Sequence, residues 1–214
     1  VWVSHYEMED LLTGKDAAGA RAALDTLMDN CRSYGMNAVI LHVRANSDAY
    51  YKSKIFKPVK SVQALIAGGF DPLAYWVQAA HDRGLELHAW INPYRVTRSG
   101  DTEYAAMSAD NPAKQHPEWL VKYSDNYYFD PALPEVRELV VNGALEIVNH
   151  YDVDGIHLDD YFYPTTDTEF DKTLYQAYID EGGKLEMFLQ HLSPTAQQCL
   201  RIVALIHNDK AARI

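Results

Sequence analysis

Cysteine is nearly absent from this chain, which carries only Cys31 and Cys199. One sits in an apolar helical pattern and the other far away in the C-terminal tail, so they offer no disulfide framework and no metal-ligand spacing, and they do not report a redox compartment. Long apolar runs are missing too: no stretch approaches the roughly 20 residues of a membrane-spanning helix. Positive charge is scarce, with 19 Lys and Arg against 30 Asp and Glu and a formal net charge of -11. That balance repels phosphate backbones and anionic membrane surfaces, and no local basic patch offsets it, so nucleic acid is not an expected partner. No Gly-rich phosphate loop follows any strand pattern, which weighs against a dinucleotide fold. There is no initiator methionine, and Val1 already opens a strand-like run, as expected if an export signal had been removed or if the chain began inside a longer protein.

What is present is material for one domain: 214 residues, 48% hydrophobic and 23% charged. Four strand-then-helix units follow one another. The first strand is Val1 to Ser4, followed by a helix that Asp16 caps and Gly35 ends, with Leu24, Leu27, Met28 and Cys31 at helical spacing. In the second strand, Asn37 to Val43, Val39, Leu41 and Val43 share one face, while Ile40, His42 and then Arg44 share the other. Asp71-Pro72 reads as an N-cap and first-turn proline, with Leu73, Trp76, Val77 and Ala80 as the buried stripe and Arg83-Gly84 as the stop. The third strand, Leu85 to Asn92, sets Leu87, Ala89 and Ile91 against Glu86, His88, Trp90 and Asn92. A helix from near Pro134 leads to the fourth strand.

That fourth strand is the most informative segment. Asp154-Gly155-Ile156-His157-Leu158-Asp159-Asp160-Tyr161-Phe162-Tyr163-Pro164 ends a short apolar run in acids, aromatics and a proline, and places His157 and Asp159 together on one face at its C-terminal end. In parallel α/β folds that end carries the chemistry. Outer faces that are apolar and inner tips that are polar predict a parallel TIM-like (β/α) barrel. Four units are half of the eight such a barrel needs, so the expectation is an incomplete barrel followed by a divergent helical tail.

At these residues the chain resembles the glycoside-hydrolase-like family related to family-10 glycosidases. The likeness runs in order through Val1-Trp2-Val3, Val43-Arg44-Ala45-Asn46-Ser47-Asp48-Ala49-Tyr50-Tyr51, Gly69-Phe70-Asp71-Pro72-Leu73, Leu87-His88-Ala89-Trp90-Ile91-Asn92-Pro93-Tyr94-Arg95, His116-Pro117-Glu118-Trp119 and Asp152 to Pro164. The resemblance implies a TIM-like barrel, hydrolysis of a bacterial glycan outside the cytoplasm with peptidoglycan strands as the leading substrate, and no organic cofactor. It implies an extracellular, periplasmic or lipoprotein-anchored protein. The expected division is 1–183 as the N-terminal half of the barrel and 184–214 as a tail unlike the family.

Glycosidic cleavage needs two carboxyl groups. Asp159 is the first candidate. Asp160 is the second, although alternation points it away from Asp159, so a partner such as Glu7, Asp48 or a residue beyond this chain is required. Arg44 and Arg95, past the ends of neighbouring strands, are candidates to bind hydroxyls, N-acetyl oxygens or a carboxylate. Asn92 offers an amide, Trp90, Tyr94, Tyr161 and Tyr163 offer flat faces to sugar rings, and His88 and His157 complete the expected substrate-binding set. A rival reading joins His42, His88 and His157 with Asp159 in a metal-dependent hydrolase. A third is a glycan-binding or inactive fragment, and open half-barrel edges would favour self-association.

Overall fold

The computed structural model of the chain describes residues 1–159, 170 and 172–180. The four strands expected from the pattern and the helices between them are present among the described residues. β1 (Trp2–Val3) leads to α1 (His5–Leu12) and α2 (Ala17–Ser33), then β2 (Ala38–Arg44), α3 (Lys60–Ala67), α4 (Pro72–His81) and β3 (Glu86–Ile91). After β3 come α5 (Gly100–Ala106), α6 (Pro112–Gln115), a 3-10 turn at Pro117–Trp119, β4 (Leu120–Tyr123), β5 (Asn126–Phe129) and α7 (Pro134–His150), which delivers the chain to β6 (Gly155–Leu158); α8 (Lys172–Asp180) comes last.

The caps explain the boundaries. The Asp16 carboxylate accepts from the Gly19 amide at 2.8 Å, and Asp71 accepts from the Leu73 amide at 3.1 Å, each satisfying a donor that the first helical turn leaves unpaired. The Glu7 carboxylate accepts from the Ser4 backbone N–H at 2.8 Å and so starts α1. That hydrogen bonding, with the Ser4 hydroxyl contributing first, holds the Glu7 carboxyl below its ordinary pKa, so this candidate for the second carboxyl is engaged in the cap of α1.

Among the described residues, four strands make one parallel sheet in the order β1-β2-β3-β6, the first half of a TIM-like barrel. Its outer face is apolar: Val39, Leu41, Leu87, Ala89 and Ile91 are fully buried against Leu24 and Met28 of α2, Leu73 and Trp76 of α4, and Ala144 and Ile147 of α7. β6 is fastened at its entry by Asp154, whose carboxylate takes hydrogen bonds from His81 at 2.9 Å and from the Leu87 amide at 2.8 Å. The helical tail expected after Gly183 lies outside the described residues.

Two features depart from the expected arrangement. The excursion between β3 and α7 contains an antiparallel hairpin, β4–β5, turned at Ser124 and Asp125, both with positive φ (47° and 67°). The second is a correction at Arg44. The register of β2 on β3 slips between His42 and Arg44, so that His42 pairs with Trp90 but Arg44 pairs with Ile91. One extra residue in the strand turns the side chains beyond it to the opposite face. Arg44 therefore faces the helices instead of the barrel interior, 1% exposed, with its guanidinium 4.2 Å from the Phe56 ring centroid and packed against Gly143 of α7.

Candidate active site

The inner face of the sheet is built in layers by strand register. Ile40, His88 and Gly155 form the lower layer; His42, Trp90 and His157 form the next, nearer the C-terminal ends. In that upper layer His42 stacks on Trp90, centroids 3.6 Å apart, and the Trp2 ring meets both Trp90 (5.2 Å) and His157 (4.6 Å) edge-on. His5, just past β1, extends the row: its Nδ1 lies 3.3 Å from Nδ1 of His42, so one imidazole donates and the other accepts. Burial, then neighbouring positive or imidazole groups, pushes His42 down to about 3 and His5 down to about 4, which keeps both rings neutral near pH 7.

Asp159 comes directly after β6, and its amide donates to the Ile91 carbonyl at 3.3 Å, continuing the ladder beside Asn92. Its carboxylate favours protonation of His157, against the larger effect of burial, which lowers that imidazole's pKa. Asn92 is locked: its Oδ1 accepts from the Trp90 indole at 3.0 Å and its amide donates to the Ala45 carbonyl at 3.3 Å. It orients Trp90 at the strand mouth. Asp160, Tyr161 and Tyr163 lie outside the described residues.

Several expected site residues are placed elsewhere. Tyr94 is 4% exposed in a second apolar cluster with Val96, Phe129, Val136 and Val140, so its ring packs a core instead of facing a cleft. Arg95 bridges to Tyr128 of the hairpin, its guanidinium 5.4 Å from that ring's centroid. His88 sits a layer below Trp90 and is bonded to Glu86 at 3.1 Å, with its ring over Gly155, because its register sets it back from the mouth. His42, His88 and His157 do not converge, and no three metal-ligating side chains are grouped to hold an ion among the described residues.

A cleft of about 790 Å³ opens where β1 and β2 end, between α1, the Asn46–Asp48 turn and α5. Sequence reasoning missed most of its polar lining. Glu9 accepts from the Tyr50 hydroxyl (2.7 Å) and the Ser61 hydroxyl (2.9 Å). Glu103 caps α5 through the amides of Arg98 (2.7 Å) and Ser99 (2.8 Å). Asp48, one of the sequence candidates for a second carboxyl, is half-buried here, accepts from the Asn46 amide at 3.2 Å, and is pushed up to about 6, chiefly by burial and further by the Glu103 and Glu9 charges. Arg98 lies over the Tyr6 ring, 4.7 Å from its centroid. The Ser4-x-x-Glu7 spacing was a signal for α1, and hence for His5 and Glu9; nothing in the sequence pattern marked Arg98. Asp48, its pKa raised in the cleft past β2, and Asp159, next to His157 at the end of β6, are carboxyls at strand ends, the kind of group that can exchange protons.

The family model described as Glycosyl hydrolase-like 10 matches residues 1–194. The chain is similar to the glycosyl hydrolase YngK of Bacillus subtilis (strain 168), 41% identical over 71% of this chain and 31% of that protein. It is also similar to the glycosyl hydrolase DigH of Escherichia coli (strain K12), 34% identical over 71% of this chain and 36% of that protein. The chain thus spans about a third of the length of the curated relatives it matches. Among solved structures, the alpha-L-fucosidase isoenzyme 2 from Paenibacillus thiaminolyticus shares the fold, with a TM-score of 0.54 and 18% identity over 86% of this chain and 26% of that one.

Proposed function

Because this chain belongs to the Glycosyl hydrolase-like 10 family, we propose that the protein hydrolyses a bacterial cell-wall polysaccharide, with peptidoglycan glycan strands as the leading substrate, by carboxylate catalysis. The observation that carries the proposal is Asp159 at the C-terminal end of β6, next to the Trp2–Trp90–His157 rings. Barrel enzymes place their reacting groups at that end, and flat rings beside a carboxylate suit a sugar held over a proton donor or nucleophile. Asp159 serves as nucleophile or base. Asp160 is kept as a second acid, and Asp48, held toward its protonated form, or a carboxyl from the remainder of the barrel completes the pair. The chemistry asks for no cofactor. An extracytoplasmic setting, with or without a lipid anchor, goes with that substrate.

The chain is read as the first half of the barrel over 1–183. The 51% exposure of Trp2 and the outer strand positions of β1 and β6 suit association with further strands or with another copy. A second reading, glycan binding without turnover, is supported by the aromatic rings of Trp2 and Trp90 at the strand ends. No described helix is long and apolar enough to cross a membrane.

The experiment is a panel of purified peptidoglycan strands, chitin and neutral polysaccharide, incubated with the chain and with the product of its complete gene, and analysed by mass spectrometry. Fragments from peptidoglycan strands are the expected result. Fragments from a neutral polysaccharide alone would contradict the substrate, and fragments from none would contradict the activity.

A further inference from the structure

Past the end of β2 the chain makes a turn whose two ends are tied locally. The Tyr50 amide donates to the Val43 carbonyl at 2.9 Å, while Ala49 donates to the Lys57 carbonyl at 3.0 Å and accepts from the Val59 amide at 2.9 Å. The tip of the turn, Asn46-Ser47-Asp48, is held from the excursion between β3 and α7. Asn111, 64 residues beyond Ser47 in the chain and 3% exposed, reaches it with both ends of its amide: Nδ2 donates to the Ser47 carbonyl at 2.5 Å, and Oδ1 accepts from the Ser47 hydroxyl at 2.8 Å. The same Oδ1 accepts from the Ala113 amide at 2.9 Å and so starts α6. Starting that four-residue helix takes one acceptor oxygen. The amide N–H and the second lone pair go to Ser47, itself 1% exposed, so the excursion and the turn are joined by a buried clasp.

We propose that Asn111 is a positioning residue: by clasping Ser47 it holds the Asn46-Ser47-Asp48 turn against the excursion and so keeps the Asp48 carboxyl inside the cleft as a proton-exchanging group. Asp48 follows Ser47 directly, and its carboxylate accepts from the Asn46 amide across the tip at 3.2 Å. A loop holds a reacting group in place only where its own hydrogen bonds are locked. Released from Asn111, the turn is free to carry the carboxylate outward into water, where its charged form is better solvated. Burial raises the Asp48 carboxyl most and the Asn46 amide opposes it; of the charges around it, Glu103 and Glu9 raise it and Arg44 lowers it. The basic side chains lining the cleft are His5, Arg98, Lys57 and Lys60. Ser47 and Asn111 are both neutral, so substituting either one moves Asp48 without removing a charge beside it. The inference rests on the glycan-hydrolase reading for the purpose of Asp48, and adds to it the residue that keeps that carboxyl in place.

The test is an NMR titration of the side-chain carboxyls of this chain, unaltered and with Asn111→Ala or Ser47→Ala. Asp48 of the unaltered chain should titrate at about 6. Asn111→Ala should bring that midpoint down by roughly 1 or more, toward the ordinary 3.8. Ser47→Ala, which keeps the Asn111 amide on the Ser47 carbonyl, should lower it by less. Asp29, paired with Arg83 at 2.7 Å away from the cleft, should keep its midpoint in both variants. A variant that is merely less stable unfolds earlier but leaves the titration of Asp48 in the folded chain where it was. Ser47→Ala removes a single hydroxyl, so it carries the test by itself if Asn111→Ala does not fold. An Asp48 midpoint unmoved in every variant that folds, or one already at 3.8 in the unaltered chain, would overturn the clasp whatever the panel of polysaccharides returns. A lowered midpoint with no fragments from any polysaccharide supports the clasp and counts against the hydrolase reading alone.

Discussion

The rings of His42 and Trp90 lie 3.6 Å apart, centroid to centroid, and within 8° of parallel. Two adjacent strands thereby hold a neutral imidazole flat on an indole whose N–H is fixed by Asn92. The stack orients Trp90 and buries His42, 2% exposed, where a positive charge is unfavourable.

Acid should therefore loosen the fold. His42 and His5 have folded-state pKa values of about 3 and about 4, below the ordinary 6.5, so between those limits the unfolded chain takes up protons that the folded chain refuses. Their contribution to stability is full above 6.5 and is lost as the pH falls through the folded values. Urea midpoints measured across that range should fall with pH, and His5→Gln should flatten the slope. A wild-type midpoint indifferent to pH in this window would contradict the neutral pair.

Asp48 runs the other way. Its pKa is raised from 3.8 to about 6, so its contribution is fully present below 3.8 and disappears as the pH rises through about 6. Asp48→Asn removes the cost of keeping a charge in the cleft near neutral pH. It should stabilise the fold on the order of 1 kcal/mol there, after allowing for partial exposure, and make the acid sensitivity steeper. A destabilised variant at neutral pH would show that the Asp48 charge is wanted by the fold.

Two glycines separate a rigid contact from a yielding one. A Cβ on Gly143 would collide with the buried Arg44 guanidinium and come within 2.8 Å of the Phe56 ring, neither of which has room to retreat. Gly143→Ala should cost about 1–3 kcal/mol or more by overpacking. At Gly155 the obstacle is the His88 ring at 2.7 Å, and that side chain is 31% exposed and can swing aside. Denaturation of both variants should rank Gly143→Ala as the more damaging, and the reverse order would contradict the outward position of Arg44.

The sequence made β3 legible because its period-two alternation is unbroken: Leu87, Ala89 and Ile91 are buried outward, and Trp90 points inward as expected. Asp71-Pro72 was legible because its cap is purely local. Arg44 was not, since a one-residue slip in pairing leaves no mark on the pattern of the strand that carries it. The β4–β5 hairpin was hidden for a related reason, its turn being Ser124-Asp125 where Asn-Gly is the familiar signal. Tyr94 looked like a sugar platform in a strand-end motif, but the hairpin and α7 supply a second core that absorbs it. Arg98 and Glu103 meet the cleft through tertiary folding of the excursion, which periodicity does not report.

The most direct measurement is the rate at which Asp159→Asn releases fragments from peptidoglycan glycan strands, compared with the unaltered protein, in the product of the complete gene. The substitution keeps the shape at the end of β6 and removes the ionisable group. The account predicts an unchanged unfolding transition and a loss of roughly 10²–10⁴ in rate for a general acid or base, more for a nucleophile. Turnover within a fewfold of the unaltered protein would contradict it, and would place the reacting carboxylates away from the β6 strand end.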